Sequence, residues 1–239
     1  MPNFISKHIP NAITCANLFC GCIGIVFAFK GDLSTAATAV FLSAIFDFFD
    51  GFAARLLRAY SAIGKELDSL ADIVSFGLLP SVIIYEFFLK AVQLTNSDSR
   101  LAYFAFIIPV FSAIRLAKFN IDERQTDNFI GLPTPACAIL IASFPFISIR
   151  YTGTFNALFY NPYILVCFCL LISLLMVVEI PMLSLKFKNY GVVPNIFRYL
   201  LLLISAIMIG FLNFAAIPLI IFIYIVLSII QFKFVSSKL

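Results

Sequence analysis

The chain has 239 residues, of which 62% are hydrophobic and only 12% charged. That balance excludes a soluble globular domain and a disordered tail, and it points to a polytopic membrane protein. The formal net charge of +4 suits contact with anionic lipid headgroups, and no basic, aromatic-interleaved surface for nucleic acid accompanies it.

Apolar runs read against breakers and charges predict eight helices, roughly 11–30, 34–58, 65–90, 101–119, 134–150, 162–183, 195–213 and 216–235. No polar linker divides them, so the expected fold is all-α, a single polytopic transmembrane helical bundle. The first apolar stretch begins after Asn11, lacks a small-residue cleavage pattern and leads straight into further spans, so it reads as a mature helix and not as a signal peptide. Spans seven and eight are separated only by Asn213 to Ile217 before Pro218.

Lysine and arginine set the orientation. With the N-terminus inside, Lys30, Lys90, Arg100 and Arg150 fall outside, and the other 12 of the 16 basic residues fall inside, among them Arg124, Lys186, Lys188 and Lys238. Both termini are therefore expected on the cytoplasmic side of the cell (inner) membrane.

The first span carries Cys15, Cys20 and Cys22, and later spans carry Cys137, Cys167 and Cys169. No polar ligand cluster surrounds them, and Cys20 and Cys22 point to different helix faces, so they read as small packing residues and not as disulfides or metal ligands. The single histidine, His8, precedes the span and reads as interfacial.

Spans two and three carry the informative residues: Asp47, Asp50, Asp68 and Asp72. An ionisable side chain at bilayer depth is costly, and its default reading is a functional site facing a cavity or the protein interior. Asp47 and Asp50 are three apart and share one helix face, while Asp68 and Asp72 are four apart and share a face of the next helix. Two such faces turned together place four carboxylates around one point, where they repel unless a cation neutralises them. Oxygen donors without nearby His or Cys favour Mg²⁺ or Mn²⁺, with room for two ions, over zinc. Helix-terminal acids in interfacial water are the competing reading, but that reading gives no reason for two same-face pairs.

The full segment runs Asp47-Phe48-Phe49-Asp50-Gly51-Phe52-Ala53-Ala54-Arg55 and, eight residues later, Gly64-Lys65-Glu66-Leu67-Asp68-Ser69-Leu70-Ala71-Asp72. As a pattern this is D-x2-D-G-x2-A-R-x8-G-x3-D-x3-D, and it resembles the signature of the CDP-alcohol phosphotransferase family with every defining position filled. The resemblance implies a six-helix catalytic core over roughly 1–190, followed by a C-terminal helix pair over 191–239. It also implies cleavage of the diphosphate of a CDP-linked lipid or alcohol, transfer of the phosphoryl group to an alcohol with release of CMP, and a homodimer. Carried over by position, Asp47, Asp50, Asp68 and Asp72 match the metal-binding aspartates, and Asp72 also matches the proposed general base. The opening segment Pro10-Asn11-Ala12-Ile13-Thr14-Cys15-Ala16-Asn17 looks like the family's nucleotide-proximal segment, which brings in Thr14 and Asn17. Gly51 and Gly64 allow close approach of nucleotide or backbone, with tight helix packing as the alternative. Arg55 either meets the diphosphate or caps its helix.

Three further stretches look like the membrane-bound phosphatidylserine-forming branch of the family: Asp68 to Pro80, Arg115-Leu116-Ala117-Lys118-Phe119-Asn120, and Phe129-Ile130-Gly131-Leu132-Pro133-Thr134-Pro135. The expected substrates are then CDP-diacylglycerol and L-serine. Serine carries a carboxylate, and Arg115 and Lys118, three residues apart on one face, offer it a cationic pocket. Ordinary positive-inside anchoring remains the alternative for both. Asn120 and the turn 131–135 are expected to shape the same pocket. Glycerol phosphate, inositol phosphate or choline as acceptor stays open, as does a cation transporter with a midplane acidic path.

Overall fold

The computed structural model describes residues 4–122, 129–184, 191–192 and 195–236. Arg124, Lys186, Lys188 and Lys238, assigned to the inner side above, lie outside the described residues.

Helix α1 (Phe4–Phe29) and helix α2 (Leu33–Leu56) form a hairpin. Gly31 turns between them in the left-handed region at φ 78°, and the Asp32 carboxylate caps α2 by accepting from the Thr35 N–H at 3.1 Å. The pair packs closely because the contact is built of small residues. Ala28 of α1 and Ala36, Ala37 and Val40 of α2 are fully buried, which lets the backbones approach as membrane helices require. The helix starts at Phe4, with Pro10 inside it, earlier than the expected residue 11.

Helix α3 (Ala62–Asp72) follows a turn in which Arg58 adopts φ 51°. Its first turn is capped by Ser61, whose hydroxyl accepts from the Gly64 N–H at 3.0 Å. A π-helical turn, Ile73–Leu78, joins it to α4 (Leu79–Thr95). Pro80 accounts for the wider turn: it lacks an N–H, and its ring would crowd the carbonyl four residues back. The Leu79 N–H accordingly bonds Val74 O, five residues back. The whole run from Ala62 to Thr95 is 34 residues, about 50 Å long and well beyond the ~30 Å apolar layer.

A 3₁₀ turn, Ser99–Phe106, leads into α5 (Ile107–Ile121). Strand β1 (Phe129–Ile130), α6 (Thr134–Arg150), the short α7 (Thr154–Phe159) and α8 (Pro162–Val177) follow. Strand β2 (Pro181–Met182) then precedes α9 (Ile196–Leu212) and α10 (Ala216–Ser236). The sixth span, expected to reach 183, stops at Val177 because Pro181 disfavours helix in the residue before it. Its continuation pairs antiparallel with β1, Phe129 opposite Met182. Neither α7 nor this two-residue ladder was expected.

Among the described residues five helical stretches are long and apolar enough to cross a membrane: His8–Phe29, Leu33–Leu56, Ala62–Thr95, Ser99–Ile121 and Ile196–Phe232. The last breaks at Asn213, φ 51°, into α9 and α10. With the shorter apolar helices α6 and α8, each of the eight expected spans has its helix. α1 packs on α2, α3 and α4; α5 packs on the π-turn and α8; α10 joins the bundle against α6 and β2. Cys137 and Cys169 are buried in this core, and all six cysteines are free.

Candidate active site

Asp47 and Asp50 project from α2, and Asp68 and Asp72 from α3, with α1 packed along both helices. A single atom fastens the three elements together. The Asn17 carbonyl of α1 accepts from Ser43 Oγ of α2 at 3.2 Å and from Ser75 Oγ of the π-turn at 3.1 Å. Gly21 makes this approach possible, since a Cβ there would stand 2.5 Å from Ser75 Oγ.

This packing brings the two aspartate pairs together. One oxygen each of Asp47, Asp50 and Asp68 lie within 4.8 Å of one another, and Asp72 joins the group as an electrostatic neighbour of Asp47, Asp68 and Asp50. Asp50 and Asp72 are only 6% and 7% exposed. Asp50 Oδ2, Asp68 Oδ1 and Asp72 Oδ1 are buried without a hydrogen-bond partner. The exposed ion pair of Asp98 with Arg100 lies in the connection after α4, apart from this group. Buried carboxylates converging on one point with unpartnered oxygens are costly, and a hard divalent cation is the partner that such an oxygen-only donor set fits.

The cluster stands between two pockets. The first, about 210 Å³, is lined by Asp50 and Asp68 together with Thr14, Gly51, Arg55 and Gly64. Four of the residues assigned above to the nucleotide or diphosphate therefore share one wall. The Arg55 guanidinium lies over Gly51, where a Cβ would come 3.4 Å from its Nη1. A Cβ at Gly64 would meet Asn11 Oδ1 at 3.0 Å and Ser61 Oγ at 2.9 Å, so both glycines keep polar groups close. Asn17 is fully buried and is not among the lining residues; its side-chain amide has no partner. Asn11, Tyr60, Ser61 and Lys65 also line this pocket and were not singled out as ligand contacts in the sequence. Ser61 had a signal, a helix-capping residue three positions before Gly64, whereas Tyr60 had none.

The second pocket, about 320 Å³, is lined by Arg115 and Lys118 together with Asp122, Ile130, Met176 and Glu179. Arg115 is buried and donates from Nη1 to Thr134 Oγ1 at 3.0 Å, with its Nε unpartnered. It is also an electrostatic neighbour of Asp72, so it links this pocket to the carboxylates. Asn120 lies at the edge of α3: its Nδ2 donates to Ser69 Oγ at 2.8 Å, and its carbonyl accepts from Lys65 Nζ at 2.8 Å. The turn after β1 holds the far wall. Gly131, at φ 74°, donates its N–H to Ile180 O at 2.9 Å, and a Cβ there would collide with the Met176 carbonyl. Glu179 was missed in the sequence because nothing local joins it to Arg115; a chain reversal and a two-residue ladder do, whereas Asp122, four residues after Lys118 at the end of α5, had a helical-spacing signal.

A family model described as CDP-alcohol phosphatidyltransferase matches residues 7–183. The chain is 36% identical over 142 residues to a CDP-diacylglycerol–serine O-phosphatidyltransferase of Bacillus subtilis, a match covering 59% of this chain and 77% of that protein. It is 31% identical over 236 residues to the Helicobacter pylori protein of the same name, covering 96% and 93%. It is also 31% identical over 138 residues to an archaetidylserine synthase of Methanothermobacter thermautotrophicus, covering 57% of each chain.

Proposed function

This chain belongs to the CDP-alcohol phosphatidyltransferase family, and from that premise we propose that it is an integral membrane enzyme that joins the hydroxyl of L-serine to the phosphatidyl group of CDP-diacylglycerol and releases CMP. The observation that carries this reading is the position of the carboxylate cluster between two pockets, one sharing Asp50 and Asp68 with cationic and small residues, the other reaching Asp72 through Arg115. The names of the relatives support serine as the acceptor.

The first pocket takes the CDP moiety. Arg55 and Lys65 neutralise the diphosphate, and Gly51 lets it approach the α2 backbone. The diacylglycerol tails stay in the bilayer along an apolar groove on the same helix pair, lined by Ile9, Ile13, Phe46, Phe49, Phe52 and Leu56. Asp47, Asp50 and Asp68, with Asp72 at the edge, hold the divalent ions, Mg²⁺ or Mn²⁺, two in number. When bound, these supply charge neutralisation at the diphosphate and at the departing nucleotide.

The second pocket takes serine. Arg115 and Lys118 receive the carboxylate, and Glu179 and Asp122, in the same pocket, receive the ammonium. A pocket of both signs suits a zwitterion and disfavours glycerol phosphate or inositol phosphate, whose only charges are negative. Asp72 accepts the serine hydroxyl proton. The serine oxygen bonds to the lipid-side phosphorus as the bond from that phosphorus to the CMP oxygen breaks. The excess of Lys and Arg near the cluster-bearing ends supports a cytoplasmic site, where CMP and serine are soluble. A homodimer belongs to the same reading, on the family resemblance.

The test is a product assay with the purified protein, CDP-diacylglycerol, either metal, and serine, glycerol 3-phosphate, inositol phosphate or choline in turn. Phosphatidylserine and stoichiometric CMP are expected from serine alone. Transfer to glycerol 3-phosphate and not to serine overturns the acceptor assignment.

A further inference from the structure

The family match stops at residue 183, and the α9–α10 pair lies beyond it. This pair carries a polar grip inside an otherwise apolar hairpin. From α10, Tyr224 Oη donates to Leu183 O at 3.0 Å, and Ser228 Oγ accepts from the Leu183 N–H at 3.0 Å. Both backbone groups of one residue are thus held by side chains one helical turn apart. Ser228 is itself oriented by donating to Tyr224 O at 2.7 Å. From α9, Arg198 Nε donates to the next carbonyl, Ser184 O, at 2.6 Å, and its Nη1 donates to Asn195 Oδ1 at 2.9 Å. Leu183, Ser184, Tyr224 and Ser228 are all buried.

Three specific hydrogen bonds onto two consecutive residues do more than anchor a hairpin, for which apolar contact suffices. The gripped residues directly continue β2, which pairs with β1, and these strands bring Glu179 and Ile130 to the second pocket. Tyr224 is also an electrostatic neighbour of Arg115, so α10 reaches that pocket from both its strand wall and its cation.

We propose that the C-terminal helix pair is a positioning element for the acceptor pocket: Tyr224, Ser228 and Arg198 fix residues 183–184, and through the strand ladder they set the wall that carries Glu179 against Arg115. The proposal rests on the assignment of that pocket to the acceptor alcohol. None of the three residues touches the first pocket, so the effect is confined to one substrate.

The experiment is two-substrate steady-state kinetics on the full-length protein with Tyr224→Phe, Ser228→Ala and Arg115→Ala. Loss of one buried hydrogen bond corresponds to a factor of about 5, so Tyr224→Phe and Ser228→Ala each raise the serine KM by roughly 3- to 10-fold. Turnover at saturation and the KM for CDP-diacylglycerol stay within about 2-fold of the unmodified enzyme. Tyr224→Phe keeps the ring and its packing, which makes it the deciding variant if Ser228→Ala fails to fold. An unchanged serine KM in Tyr224→Phe, or an equal rise in both KM values, overturns the positioning role. If Arg115→Ala also leaves the serine KM unmoved, the pocket assignment falls with it; if Arg115→Ala raises it and the α10 variants do not, the positioning role alone falls.

Discussion

The two ends of the bundle both carry polar pockets, and they differ in how their polar groups are satisfied. The end at the start of α2 holds the larger space, about 520 Å³, lined by Asp32, Glu86, Lys90, Ser148 and Tyr160 among others. Several of its groups are met by neighbours: Ser148 Oγ donates to Asn156 Oδ1 at 2.7 Å and lies 3.2 Å from Tyr160 Oη, while Lys90 Nζ sits 4.7 Å from the centre of the Tyr160 ring. The opposite end has smaller pockets and three buried carboxylate oxygens without partners. Volume therefore does not single out the end proposed as reactive; the carboxylates' unmet hydrogen-bonding and charge do, because buried groups of that kind call for a partner.

The sharpest way to break this contrast is to remove the unmet charge. Asp47→Asn, Asp50→Asn or Asp68→Asn is expected to abolish divalent-ion binding, read by calorimetry, and nearly all turnover, with helical content by circular dichroism unchanged. Near-normal activity of any of these in chelated buffer breaks the comparison. Asp72→Asn follows, with a loss of chemical step on the order of 10²-fold or more while CDP-diacylglycerol still binds, measured in single-turnover quench experiments. Arg115→Ala is expected to act mainly on serine KM, by about 10- to 100-fold, the worth of a charge-assisted contact. Equal loss of nucleotide-lipid binding in the Asp72 and Arg115 variants moves Arg115 to the diphosphate. The smallest effect belongs to the other end: Lys90→Ala removes one cation–π contact, worth about 0.5–1 kcal/mol at an exposed position. It should leave turnover within 2-fold, and a tenfold loss there would show that the larger pocket takes part in the reaction.

What the sequence made legible were features with a fixed local period. The same-face pairs Asp47/Asp50 and Asp68/Asp72 follow from helical spacing alone, and each of the eight apolar runs is matched by a helix, five stretches of which are long enough to span a membrane. Thr14, Gly51, Arg55 and Gly64 came from the resemblance and lie on one pocket wall. What stayed illegible depends on chain reversal. The end of α8 at Val177 and the ladder of Phe129 with Met182 bring Glu179 to Arg115 across more than sixty residues, and no periodic pattern encodes that meeting. The grip of Tyr224 on Leu183 was hidden for the same reason, since a tyrosine in an apolar span reads as packing.

The π-helical turn at Ile73–Leu78 has a consequence for anyone redesigning this helix. An α-helix advances about 100° per residue, and a turn that takes up one extra residue resets that phase. Asp68 and Asp72 therefore belong to one angular frame and the buried row Ile83, Ile84, Phe87 and Phe88 to another. A helical wheel drawn straight through 62–95 would assign lipid-facing and cavity-facing positions wrongly on one side of the break. Deleting a single residue between 73 and 78 would bring the two frames into step and leave both faces directed as they are, whereas deleting one residue after the turn would rotate the core face of α4 by about 100° away from the bundle, though no aspartate had been changed.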